Sequence, residues 1–152
     1  MTEVESSRVP KANVLIVEDS APDAMLLKIA LDAAGFEYDL TALRDGAIAL
    51  EYVRSRGRAD SELPDIILLD VNVPKVSGLE ILLEIRAVER LASVPVLVLS
   101  SSLSPRDEFV VRSADGRLQI KPSDLEGYLE LGQTIKSSLQ GSGRFAVSGE
   151  TG

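Results

Sequence analysis

The sequence predicts a three-layer α/β sandwich, a parallel five-stranded sheet of order 2-1-3-4-5 with helices on both faces. Three observations carry this expectation. Short apolar runs rich in β-branched residues recur at Asn13–Val17, Ile66–Leu69 and Val94–Leu99, too apolar to face water on either side. Stretches with helical spacing of apolar residues separate them, so strand and helix alternate. A length of 152 residues, 45% of them hydrophobic, suits one sizeable core and is short for two.

The first strand, Asn13–Val17, leads into a helix with Ala24, Leu27 and Leu31 on its inner face. Ser20 suits its N-cap, Pro22 its first turn and Asp23 the position three after the cap, while Gly35 lies just past its end. Glu37–Leu43 alternates like a strand with one wet face. The second helix carries Ile48, Leu50, Tyr52 and Val53. Arg54, Arg56 and Arg58 fall at its C-terminal end, where cations complement the helix dipole. Ile66–Leu69 is the third strand, and Leu79, Leu82, Leu83 and Ile85 mark the third helix. After the fourth strand, Val94–Leu99, a helix starts near Ser104 and Pro105 and stops before Gly116. Arg117–Ile120 is a short fifth strand, assigned by its place in the series. The last helix runs from about Ser123 to Leu139 with Leu125, Tyr128, Leu129 and Ile135 inward. Five βα units joined by right-handed crossovers result. Residues 13–140 form the expected domain; 1–12 and 141–152 are rich in Ser, Gly and polar residues and are expected to be flexible tails.

Composition removes several function classes. With 16 basic and 24 acidic residues, a formal charge of −8, the molecule is repelled by nucleic-acid phosphates and anionic membrane surfaces. No cysteine and no histidine is present, which excludes disulfides, zinc held by thiolate or imidazole, and nucleophiles activated by imidazole. The polar start, Met1–Lys11, does not suit a signal peptide, and no stretch is long and apolar enough for a bilayer. A cytoplasmic protein is expected.

In an open parallel sheet, ligands bind beyond the carboxyl ends of the strands. Here those ends carry Glu18 and Asp19, Asp70, Ser100, and Lys121. Taken one at a time, Asp and Ser at strand ends are common merely as caps of the next helix. Acidic, acidic, Ser and Lys at four separate ends form a constellation. In order 2-1-3-4-5 the first and third strands are neighbours, so three carboxylates converge. Each pair of like charges at ~4 Å costs roughly 4 kcal/mol at an effective dielectric of about 20. A hard divalent cation with oxygen ligands fits that demand, Mg²⁺ above all, and Lys121 supplies a second cation. Between them, the Asp70 carboxylate is a plausible nucleophile toward phosphorus, and Ser100 is placed to meet the acyl phosphate formed.

Four segments carry a family pattern: Val14-Leu-Ile-Val-Glu-Asp19, Ile66-Ile-Leu-Leu-Asp70-Val-Asn-Val-Pro74 with Gly78, Pro95-Val-Leu-Val-Leu-Ser100, and Lys121-Pro122. Over about Val14 to Leu139 the chain resembles the receiver domains of bacterial two-component response regulators, which are flavodoxin-like (βα)5 sandwiches. The resemblance implies that Asp70 accepts a phosphoryl group from a sensor histidine kinase or phosphotransfer protein. It implies that Asp19 and Asp70 bind Mg²⁺, with Glu18 assisting through water and the Asn72 carbonyl completing the site. Ser100 is then the switch hydroxyl and Lys121 the phosphoryl contact, with a cis bond to Pro122 fixing its direction. Pro74 and Gly78 shape the loop into the third helix, glycine permitting positive φ.

Two features depart from the family pattern. Leu118 stands where an aromatic residue often reports phosphorylation, and Arg112–Gln119 is compressed. Leu43-Arg-Asp-Gly46 and the long 54–63 connection are similar to stand-alone receivers that serve phytochrome-type kinases. Output is then expected through protein contact or onward phosphotransfer to an unknown downstream protein, with homodimerisation through the fourth helix, fifth strand and fifth helix. Three rivals remain at this point. A haloacid-dehalogenase-type phosphatase needs an acid where Asn72 stands. A nucleotide or flavin module lacks any phosphate-cradling glycine loop. The third is a pseudo-receiver serving only as an interaction module.

Overall fold

The computed structural model describes residues 11–102 and 104–141. The residues expected to be tails, apart from Lys11, Ala12 and Gly141, lie outside the described residues. Five strands, β1 (Ala12–Val17), β2 (Tyr38–Leu43), β3 (Ile66–Asp70), β4 (Val96–Ser100) and β5 (Arg117–Ile120), form one sheet of order β2-β1-β3-β4-β5. Every pairing is parallel. Between them run α1 (Ala21–Ala34), α2 (Gly46–Ser55), α3 (Gly78–Ala87), α4 (Pro105–Ser113) and α5 (Leu125–Gln140), with a 3₁₀ turn at Glu89–Leu91. No helix among the described residues is long and apolar enough to cross a membrane.

The apolar runs of β1, β3 and β4 are buried on both faces because successive side chains feed two cores. Leu15, Val17, Ile67, Leu69, Val96 and Val98 meet Ala49, Val53, Ile81, Leu82, Ile85 and Val111 from α2, α3 and α4. Val14, Ile16, Ile66, Leu68, Leu97 and Leu99 meet Leu27, Leu31, Tyr128, Leu131 and Ile135 from α1 and α5. Strand β2, at an edge, keeps the half-wet alternation that its sequence shows.

The helix ends follow their chemistry. Ser20 Oγ accepts from Asp23 N at 3.2 Å, and Gly35 closes α1 at φ 84. Asp45, Ser77, Ser104 and Asp124 cap the other four helices in the same way. Three inner faces differ from expectation. Ile48, Leu83 and Leu125 are exposed, and the buried positions include Gly46, Ala49 and Val53 in α2, Ile81 with Leu82 and Ile85 in α3, and Tyr128, Leu131 and Ile135 in α5. Close approaches set these rotations. A Cβ on Gly46 would lie 2.2 Å from Val76 O, so that position must face the β3–α3 loop.

Candidate functional site

The carboxyl ends of β1, β3 and β5 bring Glu18, Asp19, Asp70 and Lys121 together, with Ser100 at the end of the neighbouring β4. Asp70, the last residue of β3, is buried. Its Oδ1 accepts from Asn72 N at 2.9 Å and its Oδ2 from Lys121 Nζ at 2.8 Å. The Glu18 and Asp19 carboxylates belong to the same cluster, with ligand oxygens of Glu18, Asp19 and Asp70 all within 4.8 Å of one another. Glu18 is buried at the end of β1, while Asp19 is exposed at the pocket's mouth.

Lys121 follows β5, where its N–H donates to Ser100 O at 2.7 Å and ties its backbone to β4. Its ammonium reaches inward to Glu18 Oε1 at 2.9 Å, Asp23 Oδ2 at 2.8 Å and Asp70 Oδ2 at 2.8 Å. The peptide bond to Pro122, expected cis, is trans, as are all bonds among the described residues. The ladder bond at Lys121 N and the three carboxylates direct the side chain.

Electrostatics make the pocket short of positive charge. Burial pushes the Glu18 carboxyl up to about 7, and the nearby Asp70 charge adds to this, while contacts with Lys121 and the Ser20 N–H oppose it. Burial by itself would lower the Lys121 ammonium, but the contacts with Asp23, Asp70 and Glu18 outweigh it and hold the lysine well above its ordinary range. Although Glu18 Oε1 has the ammonium 2.9 Å away, it makes no directed hydrogen bond and is the one buried side-chain oxygen or nitrogen among the described residues without such a partner. An all-oxygen cluster of three carboxylates, two of them sharing a single ammonium, suits a hard divalent cation.

Ser100 is buried at the end of β4 and engaged with its own loop. Its Oγ donates to Ser102 O at 2.6 Å and accepts from Ser102 N at 3.3 Å. Asn72 is exposed beyond Asp70. Gly78 does not use positive φ. A Cβ there would sit 2.5 Å from Asp70 O, and its N–H donates to Val71 O at 3.0 Å, so close approach to the backbone of Asp70 requires the glycine. Positive φ in this loop falls instead on Lys75, at 77°, whose ammonium lies 3.3 Å from Asp45 Oδ2. Leu118 is half-buried against the core on the α2, α3 and α4 side.

One site residue escaped the sequence reading. Asp23 looked like the reciprocal member of a capping box, but Glu18 Oε2 accepts from Ser20 N at 3.1 Å and fills that role. The Asp23 carboxylate is left to Lys121. The available signal was placement, since the first turn after β1 stands over the same strand ends as Glu18.

Residues 14–126 match the family model described as response regulator receiver domain. Among similar proteins, the probable methanogenesis regulatory protein FilR2 of Methanothrix harundinacea is 43% identical over 94 residues, 62% of this chain and 61% of its own length. The chain thus spans under two thirds of that relative. Response regulator Rcp1 of Synechocystis sp. is 38% identical over 104 residues, 68% of this chain and 70% of Rcp1. The crystal structure of the phosphorylated cyanobacterial phytochrome response regulator RcpA superposes with a TM-score of 0.75 at 32% identity, covering 84% of this chain and 93% of RcpA. A structure of Rcp1 in its Mn²⁺-bound form gives 0.73 at 33% identity, covering 84% and 93%. With the sheet order, the acidic cluster and the lysine already in place, these matches assign the chain to the response regulator receiver domain family of two-component signalling.

Proposed function

We propose that the protein is a Mg²⁺-dependent phospho-switch whose acceptor is Asp70, charged by a histidine kinase or phosphotransfer protein. The observation that carries this reading is the Asp70 carboxylate, buried with one oxygen on a backbone N–H and the other on an ammonium, beside an acidic cluster suited to a cation. Asp19 and Asp70, with Glu18 through water and the Asn72 carbonyl, would hold Mg²⁺, which when bound offsets charge on the phosphoryl oxygens. The crystallised Mn²⁺ form of Rcp1 supports this for a relative.

In the transfer, an Asp70 carboxylate oxygen forms the new bond to phosphorus, and the donor's leaving group departs with the electron pair of the broken bond. The ammonium of Lys121 turns to a phosphoryl oxygen. Ser100 Oγ exchanges its bond to Ser102 O for a phosphoryl oxygen, which moves the loop after β4 and the adjoining α4. Phe109 on α4, Ile120 on β5 and Leu125 on α5 are 72%, 52% and 50% exposed, an apolar face consistent with partner binding or homodimerisation there. Intact-mass analysis after incubation with acetyl phosphate and Mg²⁺ tests the reading. A single phosphoryl adduct, lost with chelator and in Asp70→Asn, is expected; an adduct retained in Asp70→Asn would overturn it.

A further inference from the structure

Lys121 has three N–H donors, and three carboxylates surround it at 2.8 to 2.9 Å. The Asp70 contact is a directed hydrogen bond and the other two are close ion pairs, so a phosphoryl oxygen that pairs with the ammonium must displace part of this carboxylate shell. Glu18 and Asp70 also belong to the cluster able to take a cation, but Asp23 does not. Once a cation draws on Glu18 and Asp70, Asp23 is the anion left to hold the lysine. Its side chain is 31% exposed, against 16% for Lys121, so Asp23 is the more solvent-accessible partner of this contact.

We propose that Asp23 is a positioning residue that acts as a brake on phosphorylation, competing with the incoming phosphoryl group for Lys121. The inference rests on Asp70 being the acceptor. The carboxylate holds the ammonium in the resting pocket and adds a negative charge where an anionic donor must enter. Both effects disfavour transfer. Asp23 is fixed for the task, because its own N–H is bound to Ser20 Oγ in the first turn of α1 and Glu18 has taken over the reciprocal cap. The side chain faces the lysine while its backbone N–H is tied to the cap.

The test compares wild type, Asp23→Asn and Asp23→Glu, with Asp70→Asn as control. The rate of adduct formation from acetyl phosphate at saturating Mg²⁺ is read at low and high salt. Beryllofluoride affinity, followed by the amide signals of Ser100 and Lys121, is measured in parallel as a readout that involves no transfer. Asp23→Asn is expected to be phosphorylated faster, on the order of three- to tenfold at low salt for a charge at a partly exposed site, with the gap shrinking as salt rises. Beryllofluoride should bind it more tightly by a similar factor, and Asp23→Glu should return both values toward wild type. Unchanged or slower phosphorylation of Asp23→Asn, with unchanged beryllofluoride affinity, would overturn the brake. Failure of wild type itself to form an Asp70-dependent adduct would instead remove the underlying reading, so the two failures are distinguishable.

Discussion

Glu18 concentrates the residue-scale argument, since it is a buried carboxylate with one oxygen on Ser20 N and the other lacking a directed bond. Its carboxyl titrates near 7 when folded, against an ordinary 4.5. Below pH 4.5 it is neutral in both folded and unfolded chains and costs nothing. As pH rises through 7 the unfolded chain ionises first, and the metal-free fold loses that part of its stability. In chelator, the gain in urea midpoint of Glu18→Gln over wild type should therefore grow between pH 4.5 and 7 and then level off. Above pH 7, Mg²⁺ should raise the wild-type midpoint and affect the variant less. At this scale the places of Glu18, Asp19, Asp70, Ser100 and Lys121 at the strand ends were legible in the sequence, because strand ends can be read from apolar runs. It did not show Asp23, whose local capping role was already taken by a residue two positions before the cap.

At the scale of elements, order and type follow from periodicity and caps, whereas helix rotation depends on close contacts between elements. Ile48, Leu83 and Leu125 fit an apolar stripe in sequence yet face solvent. Small residues decide instead. Gly132 on α5 is pressed to α1 so closely that a Cβ would lie 2.4 Å from Ala30 O. Gly132→Ala should force the two helices apart and cost about 2 kcal/mol, the usual scale of overpacking, despite the better helix propensity of alanine. A urea midpoint equal to or above wild type would show that α1 and α5 can separate freely. Around Lys121 the surroundings are likewise tertiary, since its ammonium meets carboxylates that follow β1, end β3 and open α1.

For the whole molecule, the sheet order places the candidate site at one pole, while the opposite pole carries structural ties. Arg86, at the end of α3, donates to the carbonyls of Leu91, Ala92, Val94, Ala114 and Asp115 at 2.7 to 3.2 Å. It joins the entrance of β4 to the α4–β5 turn, where Asp115 takes φ 58. Nothing in the sequence marked it, because its partners come from two separate turns. Arg86→Lys keeps the charge but loses the planar fork, and should lower stability by about 2 kcal/mol while leaving Asp70 competent for phosphorylation. A variant that folds as stably as wild type would contradict that role. The central claim, that Asp70 is the acceptor, is met most directly by borohydride reduction of the phosphorylated protein followed by peptide mapping. Homoserine at position 70, with every other acidic residue intact, is the predicted result; homoserine at position 19 or 23, or 2-amino-5-hydroxypentanoic acid at position 18, with aspartate intact at 70 would contradict the account.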